Sequence, residues 1–236
     1  MMRRIGRWTL RPVYVLYYRF LFGARFPGSD NLAQGVSALE SRVARGDTPE
    51  PKDLWEDKYR SGRWEFMREL YEVPRYASIA ALAHRLRPDG AILDIGCGEG
   101  LLQDYLAPFG YGRYLGIDLA EAAIEQAGGR IDDRTDFVAA DAETFVPDGT
   151  FDVVIFNECV HYFHSPARSV TGYERFLTPD GLFIISAFRT PRGDAIMREI
   201  VESYTVIEQT SIGNRKGTSL VVVLAPTMSH DELGAR

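Results

Sequence analysis

A glycine-rich turn at residues 96–100 constrains this chain more than any other feature of its sequence. The turn follows a short apolar run, Ala-Ile-Leu-Asp-Ile, which is typical of a buried strand. Gly96, Gly98 and Gly100 carry no Cβ atoms, so backbone N–H groups in the turn can approach a ligand closely. A second apolar run ends at Asp118, where a carboxylate is well placed to accept both hydroxyls of a ribose. Together these features predict a nucleoside-containing cofactor on a doubly wound sheet.

The spacing of the glycines distinguishes this turn from other nucleotide-binding loops. A dinucleotide-binding loop has the pattern G-x-G-x-x-G, whereas Leu101 occupies the place of its third glycine here. No G-K-[ST] follows, which excludes a P-loop. The pattern D-x-G-x-G-x-G followed by an acid resembles the class I methyltransferases that use S-adenosylmethionine. The resemblance extends from about Trp55 to about Pro226, which is most of the chain.

Apolar runs alternate with helical patterns through the middle of the chain. We predict strands and helices in the order strand 91–95, helix 99–107, strand 114–117, helix 120–127, strand 136–139, strand 151–156, helix 166–177 and strand 182–187. This α/β alternation predicts a mostly parallel sheet that helices cover on both faces. Two further β-rich runs, at 204–210 and 219–224, predict a hairpin. The resemblance implies a seven-stranded, Rossmann-like methyltransferase sheet whose last strand is antiparallel.

Length and composition predict a single methyltransferase domain with an extension at each end. The chain has 236 residues, of which 45% are hydrophobic, as expected for one globular core. We expect the domain to span 53–226, with an N-terminal helical extension and linker at 1–52 and a flexible tail at 227–236. The net charge of −6 argues against a general nucleic-acid binder. The two cysteines indicate a reduced, cytoplasmic setting.

The N-terminal segment at residues 1–26 is basic and aromatic, and three interpretations of it stay open. Its apolar residues have helical spacing, which favours a helix packed on the domain or on a second subunit of a homodimer. A cationic, aromatic amphipathic helix is also typical of an anchor that lies on a membrane surface. The third interpretation is a cleavable targeting segment. No uncharged apolar run approaches the ~20 residues that a bilayer-spanning helix needs.

The resemblance implies how the glycine turn would bind the methionine end of S-adenosylmethionine. Gly96 and Gly98 would contact it through backbone groups, and Cys97 lies between them in the same loop. Asp94, at the end of the preceding strand, would support the loop and the region of the ammonium group. A second interpretation of Cys97 is a small apolar filler.

The resemblance also implies an adenosine-binding edge. Asp118 would bind the ribose and Leu119 would flank the adenine. The Asp141 side chain would accept a hydrogen bond from the adenine amino group, and the Ala142 backbone N–H would donate one to the ring. Asp141 also fits the position of a helix N-cap.

Polar residues after the fourth predicted strand are candidates for the chemistry of methyl transfer. Ligands of open α/β sheets bind beyond the carboxyl ends of the strands, so Asn157 and Glu158 are expected beside the reacting sulfonium. A hydroxyl acceptor would need a general base, for which we place His161 first, Glu158 second and His164 third. A carboxylate acceptor is already ionised and would need no base. A pocket-wall or surface position without a role in proton transfer is the alternative for each histidine.

A group of aromatic residues before the first strand resembles the N-terminal cover of small-metabolite methyltransferases. Trp55, Tyr59 and Trp64 belong to this group, and Tyr59 would line the methyl-transfer site. Arg75 would pair with the carboxylate of the cofactor. Aromatic packing that closes the edge of the sheet is the alternative. We identify no metal-ligating motif.

We therefore predict a methyltransferase that converts S-adenosylmethionine to S-adenosylhomocysteine while methylating a small molecule. An oxygen nucleophile is favoured: the hydroxyl or carboxylate of a sugar, a natural product or a peptide end. Three alternatives stay open, namely N-methylation of a small metabolite, a membrane-surface enzyme acting on a lipid-linked substrate, and a protein that binds the cofactor without turnover.

Overall fold

The computed structural model describes residues 51–227 and Gly35. The basic segment at 1–26 and nearly all of the predicted extension and tail lie outside these residues. The division of the chain at 53 and 226 therefore stays a prediction. No helix in the described part of the chain is long and apolar enough to cross a membrane.

Six helices and seven strands make up the described part of the chain, together with short 3-10 turns. The helices are α1 (Lys52–Arg60), α2 (Val73–Leu86), α3 (Leu101–Leu106), α4 (Glu121–Ala127), α5 (Pro166–Gly172) and α6 (Pro191–Val201). The strands are β1 (Ala91–Ile95), β2 (Arg113–Asp118), β3 (Thr135–Ala139), β4 (Phe151–Asn157), β5 (Leu177–Phe188), β6 (Tyr204–Asn214) and β7 (Gly217–Pro226). The 3-10 turns are Glu65–Arg68, Ala107–Phe109, Gly128–Arg130, Val160–Tyr162 and Glu174–Phe176.

The strands form one mixed sheet in the order β3-β2-β1-β4-β5-β7-β6. Strands β1 to β5 run parallel to one another, whereas β7 is antiparallel to both β5 and β6. The predicted fold class is thus confirmed, including the antiparallel last strand. The order reverses between β1 and β4, and a crevice for ligands opens at such a reversal, beyond the carboxyl ends of the strands.

Both faces of the sheet are buried, as the near-continuous apolar strands predicted. One face contributes Leu93, Phe156 and Val222 to a core, and the opposite face contributes Ile92 and Ile155 to another. Helix α2 covers the second face. It begins with a proline in its first turn and presents an apolar stripe at helical spacing. The buried apolar residues of this stripe are Tyr76, Ile79, Ala80 and Ala83.

Before the closing hairpin, two predicted elements differ from the structure by five residues at one end. The helix predicted at 166–177 ends at Gly172, since glycine is a poor helix former, and a 3-10 turn follows it. Strand β5 begins at Leu177 rather than at residue 182, because Leu177 pairs with Phe151 before the register shifts.

The closing hairpin is longer than predicted and leaves two residues at its tip. Asn214 closes the tip, where its Oδ1 accepts hydrogen bonds from the backbone N–H groups of Lys216 (2.7 Å) and Gly217 (3.2 Å). Its Nδ2 donates a hydrogen bond to the Tyr71 carbonyl at 3.2 Å. The hairpin tip is therefore attached to the segment between α1 and α2.

Candidate active site

A cavity of about 430 Å³ lies at the carboxyl ends of β1, β2 and β4. The floor of the cavity consists of Gly96–Gly98, Asp118 and Asn157–Cys159. Its roof consists of Trp55, Tyr59 and Trp64. Most of the site residues predicted from the sequence line this cavity. They are Trp55, Tyr59, Arg75, Gly96, Cys97, Gly98, Asp118, Leu119, Asp141, Ala142, Asn157 and Glu158.

The glycine turn requires its glycines for both conformation and space. Gly96 and Gly98 have positive φ angles of 67° and 57°, which are unfavourable for residues that carry a Cβ atom. A Cβ on Gly96 would lie 2.8 Å from Cys159 Cβ, and one on Gly98 would lie 2.9 Å from the Tyr59 hydroxyl oxygen. The turn thus brings bare backbone to the cavity, as a cofactor-binding loop requires.

The Asp118 carboxylate joins the floor to the roof. Its Oδ2 accepts hydrogen bonds from Gly98 N (3.0 Å) and from the Tyr59 hydroxyl (3.5 Å), and its Oδ1 accepts one from Ala120 N (2.9 Å). Burial raises the pKa of Asp118, while the bonds from Ala120 and Gly98 oppose that rise. An acceptor group is therefore fixed at the cavity edge where a ribose was predicted.

Asp94 supports the floor from behind and does not line the cavity. Its side chain is only 1% exposed, and its Oδ2 accepts a 2.7 Å hydrogen bond from the Tyr114 hydroxyl. Its Oδ1 has no hydrogen-bond partner in the described part of the chain. Burial raises the pKa of Asp94 to about 7, although the Tyr114 hydrogen bond opposes the rise. This position agrees with the predicted support of the loop, while the predicted role of Asp94 at the ammonium group stays a prediction.

Arg75 lies at the cavity within a buried polar cluster. It is 2% exposed and is hydrogen-bonded to Asn157 Oδ1 and to Glu72 Oε2, the latter at 2.7 Å. Its Nε lies 3.9 Å from Glu158 Oε1. A buried arginine needs such partners, because an isolated charge in the interior is costly.

Glu158 holds the most unusual position in the site. Its φ of +57° is in the left-handed region, which is uncommon for residues other than glycine and often marks functional sites. Its Oε2 accepts a 2.7 Å hydrogen bond from Phe188 N, whereas its buried Oε1 has no hydrogen-bond partner among the described residues. Burial raises the pKa of Glu158, and the guanidinium of Arg75 opposes the rise. The chain therefore places at the cavity a carboxylate whose Oε1 lies 3.9 Å from Arg75 Nε and accepts no hydrogen bond from a described residue.

The two histidines considered as general bases are not among the residues that line the cavity. The Val160–Tyr162 turn directs the neighbouring Tyr162 into the cavity, and the His161 ring packs on that tyrosine with ring centroids 4.0 Å apart. Burial lowers the pKa of His161 to about 4, and Arg192 and Lys58 lower it further. His164 is exposed, and its backbone N donates to Glu143 Oε1. The geometry therefore favours Glu158 over the two histidines, and the identity of the base stays a prediction.

Asp141 closes a backbone turn rather than capping a helix, and its role at the adenine stays a prediction. Its Oδ1 accepts a 2.9 Å hydrogen bond from Glu143 N and so closes a turn, although no helix follows. The same residue lines the cavity together with Ala142 and Leu119. The backbone here is therefore held in one conformation beside the predicted adenine region.

The sequence analysis did not assign several residues that line the cavity. The aromatic rings of Trp55 and Trp64 are parallel to within 8°, with centroids 6.1 Å apart, and Tyr162 packs edge-on against Trp55 at 4.6 Å. Trp64 belongs to the aromatic group predicted before the first strand, and it lies on a turn beyond the end of α1. The lining residues that received no role from the sequence include Lys52, Met67, Glu99, Leu101 and Glu143.

Comparison with protein families and curated proteins agrees with this geometry. Residues 93–185 match the family described as "Methyltransferase domain". The chain is 31% identical over 121 residues to human arginine-hydroxylase NDUFAF5, covering 50% of this chain and 31% of that protein. It is also 31% identical over 143 residues to 27-O-demethylrifamycin SV methyltransferase of Amycolatopsis mediterranei, covering 57% of this chain and 53% of that protein. The matches thus span about a third to a half of these two relatives.

Solved structures share the fold. The N-methyltransferase NodS of Bradyrhizobium japonicum, in complex with S-adenosylhomocysteine, superposes with a TM-score of 0.62 at 19% identity, covering 70% of this chain and 92% of that one. The 1,6-didemethyltoxoflavin-N1-methyltransferase of Burkholderia thailandensis gives 0.63 at 22% identity, covering 75% and 87%. The sheet order, the glycine turn and the family match together show that the chain carries a methyltransferase domain of class I, the S-adenosylmethionine-dependent type.

Proposed function

We propose that this protein transfers a methyl group from S-adenosylmethionine to a small-molecule acceptor, with an oxygen nucleophile favoured. The observation that carries the proposal is Glu158, a buried carboxylate at the floor of the cavity whose Oε1 accepts no hydrogen bond from a described residue. A carboxylate with a raised pKa in that place is suited to accept a proton from a hydroxyl group.

The residues present fit the predicted cofactor. The glycine turn offers backbone without Cβ atoms, and Asp118 offers an acceptor for the ribose hydroxyls. Arg75 would pair with the carboxylate of the methionine end, and Asp141 and Ala142 would bind the adenine. When bound, S-adenosylmethionine supplies an electrophilic methyl group on a sulfonium.

The contribution of the protein to the chemistry would be alignment and proton removal. Holding a nucleophile in line with the methyl group can contribute roughly 7–11 kcal/mol. The rigid floor supports such alignment, since the backbone of Glu158 is itself fixed by hydrogen bonds from its N–H to Ser186 O (3.1 Å) and to Ser186 Oγ (3.0 Å). General-base assistance by Glu158 would contribute a further factor of about 10² to 10⁴. A carboxylate acceptor would use the alignment alone.

The size and lining of the cavity favour a small acceptor. The roof and Tyr162 cover the cavity with aromatic rings, and Met67 and Phe163 add further apolar surface. Small-molecule sites are typically concave and largely apolar, with a few polar groups that orient the ligand. Asn157 and Glu158 would be those polar groups.

A nitrogen acceptor is the second candidate. Both superposed solved structures described above are named as N-methyltransferases, while the relative from Amycolatopsis mediterranei is named for a methylated oxygen. An uncharged amine is nucleophilic enough to attack before it loses a proton, whereas a hydroxyl is not, so N-methylation would depend much less on Glu158 than O-methylation.

The test is incubation of the protein with methyl-labelled S-adenosylmethionine and a fractionated extract of its own host. We expect label in the small-molecule fraction. Label in protein or nucleic acid would contradict the proposed acceptor class, and label in the lipid fraction would favour the lipid-linked alternative.

A matched pair of variants separates cofactor binding from turnover. Asp118→Ala should weaken the affinity for S-adenosylhomocysteine in calorimetry, whereas Asp133→Ala, at an exposed position away from the cavity, should not. Equal affinities of both variants for S-adenosylhomocysteine would show that Asp118 does not bind the cofactor. Binding by the wild-type protein with no label transferred to any fraction would favour the alternative that binds the cofactor without turnover.

A further inference from the structure

We propose that Glu56 is a positioning residue, which holds the roof of the cavity over the cofactor by fastening α1 to the backbone that follows Asp118. The inference rests on the proposed function, because it concerns how the cofactor is retained. Glu56 does not line the cavity, so its effect would pass through other residues.

The first observation is that α4 takes its N-terminal hydrogen-bond acceptors from another helix. Its N-cap residue, Ala120, has no side chain that can accept a hydrogen bond. The first N–H groups of a helix lack partners within the helix and need acceptors from elsewhere. Glu56 supplies both oxygens: Oε1 accepts from Glu121 N at 2.7 Å and Oε2 from Ala122 N at 3.0 Å. One carboxylate therefore joins two helices that are far apart in the sequence.

The second observation is that the same face of α1 contacts the predicted ribose carboxylate. Tyr59 follows Glu56 by three residues, so the two side chains share one face of the helix. The Tyr59 hydroxyl donates to Asp118 Oδ2 at 3.5 Å. Tyr59 and Glu56 thus form hydrogen bonds to the two ends of the short segment from Asp118 to Ala122.

The other contacts between these two helices are weaker candidates for this task. Lys52 pairs with Glu121 at 2.6 Å and Arg60 with Glu125 at 3.6 Å, but all four side chains are largely exposed. Exposed ion pairs typically contribute less than about 1 kcal/mol. The Glu56 side chain is 19% exposed, and hydrogen bonds to a charged group are about twice as strong as neutral ones.

The consequence concerns the roof rather than the floor. Without the Glu56 carboxylate, α1 would keep only its exposed ion pairs and the long Tyr59 contact to this segment. Trp55 and Tyr59 would then spend less time over the cavity, and bound cofactor would escape more readily. The glycine turn and Glu158 would be unchanged, so turnover at saturating cofactor should be nearly unaffected.

The experiment compares Glu56→Ala and Glu56→Gln with Asp53→Ala, a control at an exposed carboxylate of the same helix. We expect Glu56→Ala to weaken the affinity for S-adenosylhomocysteine about tenfold in calorimetry, which corresponds to the loss of charged hydrogen bonds. Glu56→Gln keeps one acceptor oxygen and should lie between Glu56→Ala and wild type. Asp53→Ala should bind as wild type does.

A second readout distinguishes positioning from general support of the fold. Saturating S-adenosylhomocysteine should protect the Arg60 and Arg63 peptide bonds of the wild type from trypsin. This protection should be weaker in Glu56→Gln under conditions in which the variant remains folded by circular dichroism. With an acceptor identified in the labelled extract, the KM of Glu56→Gln for S-adenosylmethionine should rise, while kcat and the KM for the acceptor stay constant.

The outcomes separate this inference from the proposed function. Wild-type affinity or wild-type protection in both Glu56 variants would overturn the positioning role and leave the proposed function standing. An equal loss in Asp53→Ala would also overturn it. Failure of the wild type itself to bind S-adenosylhomocysteine would overturn both.

Discussion

The floor and the roof of the cavity are held in place by different kinds of contact. The floor is backbone at the ends of paired strands, where Cys97 N donates to Ile117 O at 2.9 Å and Glu158 N to Ser186 O at 3.1 Å. The roof is held by side chains, chiefly Glu56 on α4 and Tyr59 on Asp118. A floor made of backbone tolerates few substitutions. In a roof held by side chains, each substitution removes one contact and leaves the others in place. Variants of each region should therefore differ in both the size and the kind of their effects.

The largest effect is expected from Gly96→Ala, which breaks the floor. The new Cβ would meet Cys159 Cβ at 2.8 Å, and φ at this position is +67°. We expect the free energy of unfolding to fall by about 1–3 kcal/mol and binding of S-adenosylhomocysteine to be lost. Gly129→Ala is the control, because a Cβ there would meet nothing within 4 Å. Chemical denaturation and calorimetry measure both quantities, and wild-type binding by Gly96→Ala would show that the floor is more compliant than its geometry indicates.

The next effect is expected from Glu158→Gln, which leaves the floor in place but removes the proposed base. With a hydroxyl acceptor, kcat should fall about 10²-fold or more, while the affinity for S-adenosylhomocysteine stays within a few fold of wild type. Because the pKa of Glu158 is raised, wild-type activity should increase with pH through that pKa as the carboxylate loses its proton. The pH–rate profile should lose this limb in Glu158→Gln. Undiminished kcat would favour a nitrogen or carboxylate acceptor.

A third effect concerns how the free energy of unfolding depends on pH through Asp94, which lies behind the floor. The pKa of buried Asp94 is raised to about 7, so its protonated form favours the folded state. This contribution is fully present below the unfolded pKa near 4 and is lost as the pH rises through about 7. Asp94→Asn keeps an acceptor for Tyr114 and should lose this dependence. Urea unfolding at pH 5 and pH 8 should show wild type losing about 1–3 kcal/mol more than Asp94→Asn; parallel changes in both proteins would contradict the assignment.

The smallest effect is expected from Tyr59→Phe, which removes one contact of the roof. The lost hydrogen bond to Asp118 is 3.5 Å long, so the affinity for S-adenosylhomocysteine should fall only about two- to fivefold. The Trp64 ring contact of residue 59 would be retained, because phenylalanine keeps the ring. Calorimetry against wild type measures the change. A loss as large as that of Glu56→Ala would shift the main attachment of the roof from Glu56 to Tyr59.

The same division explains what the sequence could predict. The floor follows from local spacing, since the glycines, Asp118 and the exit of β4 each lie at the end of an apolar run. The sequence ranked His161 first as the base because spacing alone does not reveal that the Val160–Tyr162 turn directs its neighbour into the cavity. The roof depends on contacts between distant residues, such as Glu56 with Glu121. One local signal was available: a helix that begins after Ala120 lacks a capping side chain, so its acceptors must come from elsewhere.

The bond between Asn214 and the Tyr71 carbonyl has a consequence for how such domains can be recombined. It ties the tip of the closing hairpin to the segment that carries Trp64 and Met67, although 143 positions separate the two partners. Arg215 reinforces the tie, with its guanidinium carbon 4.8 Å from the centre of the Tyr71 ring. A chimera that imports the segment between α1 and α2 from a relative, in order to change acceptor preference, would need to import the matching hairpin tip as well. The two segments would therefore need to be exchanged together, and neither lies within the stretch at 93–185 that matches the methyltransferase family.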